Sequence, residues 1–170
     1  MTTIANRTKV TYVPTTHQQS AQVMLARPRS TFILDTETTG FDGEVIELAI
    51  IDLEGTPYYN GRFYPSTPID PQAQAVHGIM MSMLFSAPTF KAEYTKILAV
   101  LVKADAHLMY NAAFDVARLN HTCTLYGLPV LPLHPVCLMQ MNKKRKLGGS
   151  HSALGDCLRS LAVLKELARA

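Results

Sequence analysis

Cysteine is scarce in this chain of 170 residues: Cys123, Cys137 and Cys157 are an odd number at wide spacing, with no CxxC pair. That pattern excludes a disulfide framework and a zinc knuckle, and it fits a reducing compartment. No apolar run nears the ~20 residues that span a membrane. The opening stretch, MTTIANRTKV, lacks the apolar core of a secretory signal. A cytoplasmic protein with no membrane partner is therefore expected. Charged residues are few as well, 17% against 48% hydrophobic, which is the balance of a soluble globular fold and not of a disordered chain. The length is enough for one domain with its own core.

The net charge of +3 is too mild to name a partner, but its distribution is informative. Seven of the thirteen acidic residues lie between Asp35 and Glu54, while Lys143, Lys144, Arg145 and Lys146 form a separate basic block. An acidic concentration apart from a basic patch suits a metal site that also holds a polyanion.

Periodicity places the elements. Residues 1–28 read as an N-terminal arm followed by a short helix over Thr16–Ala26, stopped by Pro28; the remainder, 29–170, reads as one catalytic-sized domain. Three apolar runs, Thr31–Thr36, Glu44–Leu53 and Tyr58–Tyr64, predict strands separated by turn residues. Three- and four-residue apolar steps predict helices over Thr89–Lys103, Ala113–Tyr126 and from Ala153 onward, the last with Leu154, Leu158, Leu161, Leu164 and Leu167 as its buried stripe. Short strands are expected at Ala106–Tyr110 and within residues 130–137, and helical pieces around His77. The basic, glycine-rich stretch Asn142–Ser150 reads as mobile. Strands followed by alternating helices and strands indicate an α/β domain built on a mixed sheet.

Three places carry chemistry. Asp35 and Glu37 are two apart on a strand and so share a face. Two carboxylates there are costly unless a hard divalent cation sits between them, although solvated acids at a strand end fit the pair taken alone. Asp115 follows Asn111 where a strand passes into a helix; it suits either a capping acid or, if the first and fourth strands are neighbours, a partner for Asp35. His151 and Asp156 flank the start of the last helix. With Ser152 as N-cap, His151 lies just outside the helix and Asp156 in its first turn. A surface histidine is the plain alternative.

In this order and spacing, FILDTETTGF, VHGI, NAAFD and HSALGD resemble the motifs of the DEDDh (DnaQ-like) exonuclease family, from about Thr31 to the end of the chain. The resemblance implies a ribonuclease H-like fold with a five-stranded mixed sheet flanked by helices. It implies that Asp35, Glu37, Asp115 and Asp156 hold two divalent ions, Mg2+ or Mn2+, with His151 as general base for the attacking water. The implied reaction is 3′–5′ hydrolysis of DNA or RNA from single-stranded or frayed ends, releasing nucleoside 5′-monophosphates. By the same resemblance, Thr38, Thr39 and Phe41 touch the terminal nucleotide, with ordinary core the alternative for Phe41. His77 and Asn111 stand beside the substrate. Lys143–Lys146 contact phosphates, unless they are a solvated patch or an import signal. Tyr110 and Cys137 depart from the pattern, standing where relatives often have histidine and aspartate. A non-catalytic binding module would have no need of all five site residues. A polymerase-associated proofreading subunit is the other alternative, and partnership with a polymerase or a second copy is left open. The short stretch after Asp156 favours a stand-alone enzyme.

Overall fold

A computed structural model describes residues 16–143 and 146–170. Helix α1 spans His17–Leu25, capped by the Thr16 hydroxyl, which accepts from the Gln19 N–H. Strands β1 (Thr31–Thr38), β2 (Val45–Asp52) and β3 (Pro57–Arg62) follow. Helix α2 (Pro71–His77) and a single 3₁₀ turn at Met81–Met83 lead to α3 (Phe90–Leu101). The chain then runs through β4 (Ala106–Met109), α4 (Ala112–Leu125), β5 (Pro135–Cys137), a one-turn α5 (Leu138–Met141) and α6 (Ala153–Arg169). The sheet order is β3-β2-β1-β4-β5; β1–β2 and β2–β3 are antiparallel, β1–β4 and β4–β5 parallel. This is the mixed five-stranded architecture expected from the sequence.

Every residue of β2 is buried, as in a strand covered on both faces. Alternation divides the core between those faces. Phe32, Leu34, Leu48 and Ile50 meet α3 and α4 through Phe90, Ile97 and Leu119. Ile33, Ala49 and Ile51 meet α6 through Cys157, Leu161 and Leu164, with Ala21 of α1 joining the same cluster. Helix α1 is thereby packed onto α6, and His17 Nδ1–H donates to the Met141 carbonyl at 3.0 Å. No helix among the described residues is long and apolar enough to cross a membrane.

The buried face of α6 differs from the leucine stripe expected. Leu158 is 45% exposed, whereas Ala153, Cys157 and Ser160 are buried with Leu161 and Leu164. Small side chains let α6 approach the sheet closely, so the buried face is set by size and not by hydrophobicity alone. Residues 146–150 of the Asn142–Ser150 stretch have no regular structure, yet its end is fixed. The Ser150 N–H donates to Asp156 Oδ1 at 2.7 Å, and Gly149 passes so near that carboxylate that a Cβ would overlap it.

Candidate active site

The β1–β4 ladder ends where Ile33 faces Leu108, and β1 runs on to Thr38. Asp35 and Glu37 therefore project past the paired region, into the crevice beyond the strand ends where open α/β sheets place their sites. Both share the face of Ile33, the one α6 covers, and α6 brings Asp156 to them from its first turn. One carboxylate oxygen from each of Asp35, Glu37 and Asp156 lies within 4.8 Å of the others. Asp115 arrives from the opposite layer, in the first turn of α4, and is 3% exposed. The hydroxyl of Thr36, facing α4, donates to Asp115 Oδ1 at 2.8 Å.

Burial works against ionisation here, and at Asp35 and Glu37 neighbouring charges add to it. Burial pushes Asp35 well above the carboxylate range, and the charges of Asp115, Glu37, Asp156 and Glu47 push the same way. Glu37 is pushed up to about 8 by burial, then by Asp156, Glu47 and Asp115. Burial raises Asp115 to about 7 despite the Thr36 hydrogen bond, which works downward. Groups that resist ionising together are what a cation between them would relieve. An all-oxygen donor set matches a hard divalent ion and not a thiophilic one.

His151 is exposed, with a left-handed backbone at φ 54. Burial lowers the pKa of His77 and the charge of His151 adds to the lowering, so the two side chains lie within electrostatic reach of each other. His77 closes α2 and reaches the site at once. Its Nδ1 accepts from the Ile79 N–H at 3.0 Å, so Nε2–H donates to the Thr38 carbonyl at 3.1 Å. Thr38 Oγ1–H donates to the Gly40 carbonyl at 2.7 Å, and Thr39 Oγ1 accepts from the Glu44 N–H, so both hydroxyls shape the turn.

Phe41 is 80% exposed, which removes the core alternative for it. Its ring lies 5.9 Å from that of Phe114. The pair walls a cleft of ≈ 390 Å³ that also holds Glu37, Thr38, Val76 and His77, a size suited to a nucleotide. Asn111 is the N-cap of α4, makes no side-chain capping bond and lines a neighbouring cleft. Lys143 and Lys146 are exposed; Lys144 and Arg145 lie outside the described residues. The two departures from the motif pattern meet: Cys137 Sγ–H donates to the Tyr110 carbonyl at 3.5 Å, and the Tyr110 hydroxyl is buried without a hydrogen-bond partner among the described residues.

Glu47 is a site neighbour that its sequence context did not reveal. It pairs across the sheet with Glu37 and is 6% exposed. One oxygen binds Arg62 Nε at 2.7 Å; the other accepts from the Ala153 N–H, the first of α6, at 2.8 Å. The Ser152 side chain makes no capping bond, so Glu47 caps the helix that carries Asp156. A lone acid inside the apolar run VIELAII was the available signal. Phe114, beside Asp115 in NAAFD, is a second site residue that the motif spacing alone did not single out.

Comparison with known proteins bears on this arrangement. A family model described as RNase_T, exonuclease, matches residues 32–147, a span that includes Asp35, Glu37 and Asp115 and stops before His151. An uncharacterized exonuclease, CP81, of Escherichia phage 186 is 30% identical over 169 residues, 80% of this chain and 87% of the phage protein. DNA polymerase III subunit epsilon of Haemophilus influenzae is 34% identical over 127 residues. That alignment takes 68% of this chain but spans only about half, 49%, of the subunit. Among solved structures, the nuclease domain of 3′hExo, a DEDDh family member bound to rAMP, superposes with a TM-score of 0.66 at 16% identity, covering 85% of this chain and 94% of that one.

Proposed function

Because this chain belongs to the DEDDh family of 3′–5′ exonucleases, we propose that it removes nucleotides one at a time from 3′ ends, releasing nucleoside 5′-monophosphates. The observation that carries this reading is the meeting of Asp35, Glu37 and Asp156 oxygens within 4.8 Å, with Asp115 near enough for its charge to act on Asp35. A binding module has no use for buried, mutually repelling carboxylates, which cost stability unless a cation is part of the function.

In this reading Asp35, Glu37, Asp115 and Asp156 would hold two divalent ions, magnesium or manganese, which would supply polarisation of a water and charge stabilisation of the departing 3′ oxygen. His151 accepts the proton of the attacking water, the general-base role that histidine side chains most often take. The terminal nucleoside enters the cleft walled by Thr38, Phe41, His77 and Phe114. The exposed ring of Phe41 offers a base a stacking partner that does not discriminate sequence. His77, held neutral between Ile79 and Thr38, fixes the Thr38–Phe41 turn against α2. Asn111 sits beside the path of the strand, and Lys143, Lys144, Arg145 and Lys146 engage its phosphates. Single-stranded or frayed ends of DNA or RNA fit an open cleft of this size. Three free cysteines, Cys123, Cys137 and Cys157, accord with a reducing, cytoplasmic setting.

The test uses purified protein with 5′-labelled single- and double-stranded DNA and RNA, resolved at nucleotide steps. Stepwise shortening from the 3′ end with magnesium or manganese, and none in chelator, is expected. Cleavage within the strand, or none with any divalent ion, would overturn the reading.

A further inference from the structure

Arg118, one turn beyond Asp115 on α4, is poorly satisfied where it stands. Its side chain is 13% exposed, and its only ionic partner among the described residues is Asp42, 86% exposed, reached by Nη2 at 3.5 Å. Nε and Nη1 are buried with no hydrogen-bond partner among those residues. The guanidinium carbon lies 6.0 Å from the centre of the Phe114 ring.

The surroundings say what would satisfy it. Arg118 lines a cleft of ≈ 280 Å³ with Phe41, Asn111 and Phe114. That cleft shares both aromatic rings with the ≈ 390 Å³ cleft holding Glu37, Thr38 and His77. Phe41 and Phe114 thus form a partition, with the carboxylate side on one face and Arg118 on the other. A strand that left the first compartment across this partition would bring its backbone into the second.

We propose that Arg118 anchors the backbone phosphate of the second linkage from the 3′ end, the one next to the scissile linkage, leaving Asp42 as the strand arrives. The inference rests on the exonuclease reading above. The planar guanidinium fork matches phosphate oxygens in a two-pronged hydrogen bond. An exposed, screened carboxylate at 3.5 Å holds it only weakly, so the exchange costs little. A phosphate that takes Nη2 from Asp42 can take Nε or Nη1 as the second prong, so one donor without an acceptor among the described residues gains one, and relief of a buried unpaired N–H favours the exchange. Phe114 keeps the guanidinium beside the partition in either position through its ring face.

The test is a binding cycle read by fluorescence anisotropy on labelled DNA hexamers, with calcium present and cleavage checked on gels. In one hexamer the second linkage from the 3′ end is a neutral methylphosphonate; in another, the fifth. Wild-type protein should bind the second-linkage analogue about 10-fold more weakly than the unmodified strand, the scale of a single charge-assisted pair. Arg118→Ala and Arg118→Gln should bind the unmodified strand about 10-fold more weakly and lose nothing further at the second linkage. Neutralising the fifth linkage should affect all three proteins alike. Equal sensitivity of wild type and variants at the second linkage would overturn the assignment. So would a loss in the variants that couples to both positions, which is a general charge effect. Melting temperatures identify a variant that fails to fold, and the Gln form, closer in length, stands in for Ala in that event. If wild type neither binds nor shortens the unmodified strand from its 3′ end, the exonuclease reading fails instead.

Discussion

Proton release on metal binding follows directly from the carboxylate cluster and can be measured without any nucleic acid. In metal-free protein Glu37 titrates near about 8 and Asp115 near about 7, both raised by burial. At pH 7 Glu37 is then about nine-tenths protonated and Asp115 about half. Coordination requires both as carboxylates, so loading should expel at least about 1.4 protons from these two, with Asp35 adding to the number. At pH 9 both are mostly ionised, and their share falls to roughly 0.1. Calorimetric titration of manganese in buffers of different ionisation enthalpy reads the count from the slope. The stability consequence has the same sign. Folded carboxyls with raised pKa bind more protons than unfolded ones from about pH 4.5 to about 8, so the chelated protein loses stability as pH rises through that window. Manganese should remove most of the loss at pH 8. A buffer-independent heat at pH 7, or a chelated protein equally stable at pH 5 and 8, would refute the electrostatic description of the site.

Asp35→Ala, Glu37→Ala, Asp115→Ala and Asp156→Ala should each abolish nearly all turnover while keeping the fold, as circular dichroism can check; wild-type activity in Asp35→Ala would sink the assignment. His151→Ala should lower single-turnover cleavage by about 10²–10⁴-fold with manganese affinity retained, whereas Asp156→Ala should weaken that affinity; equal loss of affinity in both would make His151 a ligand. Glu47→Ala removes the cap of α6 and should cost about 1 kcal/mol of stability together with activity, and Glu47→Gln should recover much of both; an unchanged Tm in Glu47→Ala would return Glu47 to the surface electrostatics of Arg62. Replacing Lys143, Lys144, Arg145 and Lys146 by Ala should flatten the salt dependence of single-strand binding, its slope falling by about 0.7 for every phosphate these side chains neutralise; an unchanged slope would show them to be solvated.

What could be read from sequence and what could not divides along physical lines. The largely apolar, isoleucine-rich run of β2 and the helical steps of α3 depend on local pattern, and both elements fall where that pattern puts them. The adjacency of β1 and β4, on which the meeting of Asp35 and Asp115 depends, is conditional in the sequence and becomes definite only with the sheet order. The buried face of α6 departs from the expected stripe because leucine dominates hydrophobic counting, while close approach to a sheet selects Ala153, Cys157 and Ser160. Glu47 stands out in the sequence only as a lone acid in an apolar run, and its role stays hidden for a related reason. Its two partners, Arg62 and the Ala153 N–H, are brought to it by strand pairing and by the docking of α6. Short α5 has too few residues for any period to register.

The placement of Asp156 also sets an order on how the site comes into being. β1 supplies Asp35 and Glu37 early, α4 adds Asp115, and the third member of the tight cluster comes only with α6, whose docking is secured by Glu47 and tied to the preceding loop by Ser150. A chain emerging from the ribosome therefore carries an incomplete and self-repelling set of acids until that helix has been made and packed. Any chemistry that needs all three carboxylates of the tight cluster therefore waits on the docking of α6.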